Sequence, residues 1–165
     1  MTVAATQWKG YRVQITKKNR LDLMRGVWLF EQCSGRELDL LQRAVTQLDV
    51  PAGRTLAQQG SLGREFVVIV GGTAAVTRDG TQLAVLGPGA FFGEMSLLEG
   101  KPRAATVTTL EPTKVLVLTA AEFSTVVTTM PSVDRKMLSV LASRLRDIET
   151  TYVPANKRNT NTDIG

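Results

Sequence analysis

An α+β fold, mainly β, is what this chain of 165 residues predicts: an antiparallel β-roll (jelly roll) flanked by N-terminal and C-terminal helices. Three observations carry that expectation. Between residues 55 and 118, short β-prone runs are punctuated by glycine. Asp79-Gly80 separates two of those runs with the dipeptide of a type I′ hairpin. On either side the apolar period changes from two residues to that of a helix.

The elements follow in chain order. Residues 1–19 show no sustained period and read as a flexible basic arm. From Leu21 the spacing is helical, with Leu21, Met24 and Val27-Trp28 on one face and Phe30 closing the segment. Ser34-Gly35-Arg36-Glu37 starts a second helix that carries Leu38, Leu41, Val45 and Leu48, and Pro51-Ala52-Gly53 breaks it. Strands are expected at Thr55–Ala57, Phe66–Val70, Ala74–Arg78, Gln82–Leu86, Ala105–Thr109 and Lys114–Leu118. Thr119-Ala-Ala-Glu122 is a capping box that opens a helix through about Thr128. Pro131 then stops that helix and suits the first turn of another, over about 132–151, with Val133, Met137, Leu141, Leu145, Ile148 and Tyr152 as one stripe. The expected organisation is an arm over 1–19, one domain over 20–152 and a disordered polar tail over 153–165.

Composition narrows the function. The chain contains no histidine, which removes the commonest general base, the Ser-His and Cys-His pairs and every His-based metal site. We therefore expect no enzyme, no catalytic residue and no metal. A single cysteine, Cys33, excludes an internal disulfide framework and fits a cytoplasmic location. No apolar run reaches the length of a membrane span. The net charge of +5 is concentrated at one end: residues 1–20 hold five basic residues and no acid, while 21–165 hold fifteen of each. A duplex-binding domain would carry its basic face within the fold, so direct DNA binding is not expected.

One stretch carries chemistry. Residues 91–107 read FFGEMSLLEGKPRAATV. Gly93 permits close backbone approach, and a short turn of helix beginning at Glu94 offers unpaired N–H groups and a partial positive charge to an anion. Arg103 adds a guanidinium fork, with Ala104 and Ala105 leaving room beside it. An anion cradle with one carboxylate in it suits a ligand that carries both a phosphate and a hydroxyl.

That stretch resembles the phosphate-binding cassette of cyclic-nucleotide-binding domains, the family of bacterial catabolite-activator proteins, cAMP-dependent kinase regulatory subunits and nucleotide-gated channels. The match runs through Phe92-Gly93-Glu94-Met95-Ser96-Leu97-Leu98 and Pro102-Arg103-Ala104-Ala105-Thr106-Val107, and the family layout extends over about residues 21–150. The resemblance implies that Arg103 binds the exocyclic phosphate oxygens and that Glu94 accepts from the ribose 2′-hydroxyl. It also implies that the backbone of Gly93, Glu94, Met95 and Ser96, with that of Ala104 and Ala105, completes the cradle. Met95, Leu97 and Leu98 are expected to be chiefly core.

Ala104, where cGMP-preferring members often place Thr or Ser, favours cAMP, with cGMP the alternative. Arg144 on the last helix stands close to where channel-type members place an arginine over the purine, and Ile148 follows as an apolar cover. The implied function is a cyclic-nucleotide sensor that relays occupancy through its C-terminal helix to an unnamed effector protein, with a homodimer through that helix as a further expectation. The alternatives are a fragment or relative of a catabolite-activator-type transcription regulator, and the regulatory domain of an enzyme or channel.

Overall fold

The computed structural model describes residues 16–160, with side chains described as far as Arg146. Residues 1–15, which make up most of the expected arm, and the end of the expected tail, 161–165, lie outside it.

Thr16 caps the first helix, α1 (Lys17–Arg25), by accepting from the Asn19 N–H. The helical part of the expected arm therefore begins at Lys17, where Nζ also pairs with Asp39 of the next helix at 2.5 Å. Gly26 ends α1, and Trp28–Phe30 forms a separate 3₁₀ turn where one continuous segment was expected. Ser34 caps α2 (Gly35–Ala44), accepting from the Glu37 N–H at 3.1 Å.

Eight strands follow: β1 (Thr46–Val50), β2 (Thr55–Ala57), β3 (Glu65–Gly71), β4 (Ala74–Arg78), β5 (Thr81–Leu86), β6 (Phe91–Phe92), β7 (Thr106–Thr109) and β8 (Thr113–Thr119), with α3 (Glu94–Glu99) between β6 and β7. They form two antiparallel four-stranded sheets, ordered β1-β8-β3-β6 and β2-β7-β4-β5. The hairpin at Asp79-Gly80 is of the expected kind. Both residues have positive φ, 51° and 80°, and Arg78 pairs directly with Thr81.

β1 corrects the sequence reading. The distance of Leu48 from Leu41 fits a helical face and predicts a place on the second helix. Leu48 lies instead on a strand, opposite Val115 of β8. Leu48 and Val50 alternate into the space between the sheets, and that long-range pairing overrides a local spacing that fits both periods. β6 carries no sequence signal, since a two-residue strand has no period to read.

Alternation along β3 and β8 divides the core in two. Val67, Ile69, Val115 and Val117 fill the space between the sheets. Phe66, Val68, Leu116 and Leu118 face the helices, where they meet Met24, Leu29, Phe30, Leu38, Leu41, Phe123, Met130, Val133 and Met137. Complete burial of an aliphatic or aromatic side chain of this kind stabilises the fold by about 1.5–3 kcal/mol.

The expected capping box is present at the start of α4 (Ala120–Thr129). The last helix, α5 (Pro131–Thr160), runs past the expected stop near 151 and through Pro154, so residues 153–160 of the expected tail are helical. Once nucleated on the core, a helix extends at little cost per residue. Its first turns are anchored by buried Val133 and Met137, and by Lys136. The Lys136 Nζ donates to the Trp28 carbonyl at 2.6 Å and to Glu31 Oε2 at 2.9 Å, above the Trp28 ring. Beyond Met137 the stripe opens outward: Leu141 is half-buried, while Leu138 and Leu145 are exposed. The side chains of Ile148 and Tyr152 lie outside the described residues.

Candidate functional site

The site gathers around the N-terminus of α3. Gly93 precedes that helix with φ of 100°, a conformation open to glycine. A Cβ there would collide with the Glu65 carbonyl oxygen and lie 2.8 Å from Arg103 Nη1. No main-chain bond among the described residues is donated by the N–H groups of Glu94, Met95 or Ser96. The first amide of this turn to find a carbonyl is that of Leu97, which donates to Gly93 at 3.3 Å. Ser96 is buried, and its Oγ donates to the Lys101 carbonyl at 2.5 Å, closing the turn behind the helix.

Arg103 reaches this turn from the loop before β7. Its backbone is held on both sides, donating to the Ser61 carbonyl and accepting from the Gly60 N–H, each at 2.8 Å. Its side chain is buried, and Nη2 donates to the Glu65 carbonyl at 3.1 Å with Glu65 Oε2 at 3.6 Å. Nη1 is buried with no hydrogen-bond partner among the described residues. Burial pulls the guanidinium below the usual arginine range, against the opposing carboxylates of Glu65 and then Glu94. A buried cation with a free N–H edge is costly unless an anion completes it.

Glu94 is 2% exposed. One oxygen, Oε1, accepts from Arg144 Nη1 of α5 at 2.5 Å, and the other, Oε2, is buried without a partner among the described residues. The Arg144 guanidinium also lies 5.7 Å from the centre of the Phe91 ring. The structure thus brings together Gly93, Glu94, Ser96, Arg103 and Arg144. Ala104 and Ala105 lie in the turn that leads into β7, where the Ala104 carbonyl accepts from Arg78 Nε at 3.0 Å. Met95 and Leu98 are exposed and Leu97 alone of the three packs on the core, because a six-residue helix has one face to bury. That corrects the core expectation for Met95 and Leu98. Ile148 falls where side chains are not described.

Several residues of the site escaped sequence reasoning. Glu65 holds Arg103 from a distant strand, and a Cβ on Gly63 would lie 2.6 Å from Ser96 Oγ and 3.0 Å from Arg103 Cζ. Ala57, Val107, Val76 and Ala84 form one register row across the second sheet. Ala84 is exposed although its partner Val76 packs towards the core, where Ala57 and Val107 are buried. The glycine before a buried strand is a weak signal for the first pair, and the row depends wholly on register. Among the described residues no group of three or more His, Cys, Asp or Glu side chains could hold a metal, and no helix is long and apolar enough to cross a membrane.

Residues 47–130 match the protein family described as "Cyclic nucleotide-binding domain". The chain is similar to the Cyclic AMP receptor protein of Thermus thermophilus, 33% identical over 131 residues, covering 76% of this chain and 61% of the receptor. It is also 36% identical over 112 residues to a cyclic nucleotide-gated potassium channel of Mesorhizobium japonicum, covering 67% of this chain and 31% of the channel. Among solved structures, the Catabolite Activator Protein of Thermus thermophilus superposes with a TM-score of 0.69 at 31% identity, covering 75% of this chain and 61% of that one. The chain therefore spans less than two thirds of the length of these relatives.

Proposed function

The chain belongs to the cyclic nucleotide-binding domain family, and we propose that it is a sensor module that binds a cyclic nucleotide, cAMP in preference to cGMP, and relays occupancy through α5. The observation that carries this reading is a pair of complementary orphans beside the α3 turn. Arg103 Nη1 is a buried donor without an acceptor, and Glu94 Oε2 is a buried acceptor without a donor. A cyclic phosphate supplies the acceptor, and the ribose 2′-hydroxyl supplies the donor.

Each group then has a role. Arg103 Nη1 and the N–H groups of Glu94, Met95 and Ser96 donate to the exocyclic phosphate oxygens, with Gly93 allowing the approach and the backbone of Ala104 and Ala105 closing the far side. Charge-assisted bonds of this kind contribute about 1.5–3 kcal/mol each. Glu94 accepts the 2′-hydroxyl on Oε2 while Oε1 keeps Arg144, so the ribose and the last helix share one carboxylate. The base lies over the row from Ala57 to Ala84, and Arg144, with Ile148 one turn on, covers it. Ala104 offers no hydroxyl to a guanine amino group, which favours adenine.

Differential affinity is what lets a ligand bias a helix position. α5 is anchored at Val133, Lys136 and Met137, and reaches the site again at Arg144, so the segment between them is the part that answers to ligand. Exposed Leu138 and Leu145 are available to a second copy or to an effector. The chain's similarity to part of a receptor and part of a channel supports a regulatory module of a larger receptor or channel.

Calorimetric titration with cAMP and cGMP, with sizing of free and bound protein, tests the proposal. Saturable binding with cAMP the tighter ligand is expected. Absence of heat and of competition with either nucleotide would overturn it.

A further inference from the structure

The phosphate cradle contains a carboxylate that the proposed contacts do not use. Glu65 opens β3 with a largely buried side chain, and its Oε2 lies 3.6 Å from Arg103 Nη2. The same Nη2 donates to the Glu65 carbonyl at 3.1 Å, so one residue grips that edge of the guanidinium twice. The other edge, Nη1, is the one against Gly93 and the α3 turn, where it has no partner.

We propose that Glu65 is a specificity-determining residue that tunes the cradle to monoanionic phosphodiesters and against dianionic phosphomonoesters. The inference rests on the reading of this site as a cyclic-nucleotide cradle. Arg103 is a single buried cation, and Glu65 is its resident counter-ion. Glu94 is matched in the same way by Arg144, so the four charges already balance. Arg64, exposed, lines the same cavity of about 190 Å³ as Glu65 and Arg103, and its charge is spread into solvent.

A cyclic nucleotide carries one negative charge on a diester with no second proton to lose. A linear 5′-mononucleotide carries nearly two at neutral pH, because a monoester's second pKa is about 6. Repulsion by a fixed carboxylate scales with ligand charge, so Glu65 opposes the linear product twice as strongly as the cyclic ligand. Rejection of the near neighbour by a placed repulsive group is a general route to specificity. The Glu65 carbonyl, which any side chain at this position retains, keeps Arg103 in place when the charge is removed.

The test uses the full chain, wild type and Glu65→Gln, with cAMP titrated directly and 5′-AMP measured by competition. If removing one charge strengthens monoanion binding by some factor, dianion binding strengthens by about its square. The expected result is a gain of about three- to tenfold for cAMP and a fall of the cAMP-to-AMP affinity ratio by a similar factor. A second readout compares the ionisation itself: as pH rises through about 6, 5′-AMP affinity relative to cAMP should gain less in the wild type than in Glu65→Gln. Glu65→Ala, which keeps the carbonyl that holds Arg103, takes its place should Glu65→Gln fail to fold. Equal changes for both ligands, no change in the ratio, or the same pH dependence in wild type and variant would each overturn the inference while cAMP binding stands. Failure of the wild type to bind cAMP or cGMP removes the functional reading, and this inference with it.

Discussion

Arg144 Nη1 lies 2.5 Å from Glu94 Oε1, joining the last helix to the α3 turn through a carboxylate that is 2% exposed. The arginine side chain is itself half in solvent, at 48%. α5 and the α3 turn are therefore in contact through one oxygen of Glu94, while its second oxygen is buried without a partner among the described residues.

Arg144→Ala leaves a buried carboxylate without its cation. Stability should fall by about 1–3 kcal/mol, between the values for exposed and buried pairs, since water reaches one partner. Loss of cover over the purine should weaken cAMP binding by up to about thirtyfold, mainly through faster dissociation. Thermal melts and stopped-flow dissociation measure the two effects. Normal binding with unchanged stability would show Arg144 to be a solvated charge.

Arg103→Ala should abolish measurable cyclic-nucleotide binding. The structure adds a cost that the sequence does not suggest, because the Glu65 carbonyl and carboxylate lose their shared donor. A loss of about 1–3 kcal/mol in denaturant unfolding is expected, with the same circular dichroism spectrum. Retained affinity in a folded variant would refute the phosphate assignment.

Gly93→Ala tests the close approach. The added methyl meets the Glu65 carbonyl and Arg103 Nη1 at a positive φ that alanine adopts only with strain. Binding should fall at least tenfold, with lower thermal stability. Gly35→Ala, a glycine whose Cβ would meet nothing, is the control and should bind normally.

Ala104→Thr adds one hydroxyl at an exposed position whose carbonyl is held by Arg78. A single neutral hydrogen bond is worth about 0.5–1.5 kcal/mol, so relative cGMP affinity should rise severalfold in competition titrations. An unmoved cAMP-to-cGMP ratio would remove Ala104 from the specificity argument.

Cys33 should react slowly with alkylating reagents at neutral pH. Burial raises its thiol above the ordinary range, opposed by the Ser132 hydroxyl and assisted by Glu37. A raised pKa means less thiolate at any given pH, so the rate should climb at higher pH than for a free thiol. Thiol-reactive dye kinetics against pH, with glutathione as reference, provide the measurement.

The sequence by itself determined most of the elements and the composition of the site. Alternating runs, glycine punctuation, Asp79-Gly80 and the Thr119–Glu122 box are local signals, in which a few neighbouring residues fix their own backbone and need nothing from afar. Glu94 and Arg103 were legible for the same reason, as charged residues set among small and apolar ones within one short stretch. What only the tertiary structure decided rests on pairing between distant segments. Leu48 became a strand residue because β8 lay beside it, and Met95 and Leu98 turned outward because α3 had one face to bury. Glu65 joined the site because a strand far from the cassette presented its carbonyl to Arg103. Arg144 met Glu94 because α5 packs back across the roll, a contact set by core burial at Val133 and Met137 rather than by any period near Arg144. Periodicity reports which face of an element is apolar, whereas long-range packing selects what that face meets.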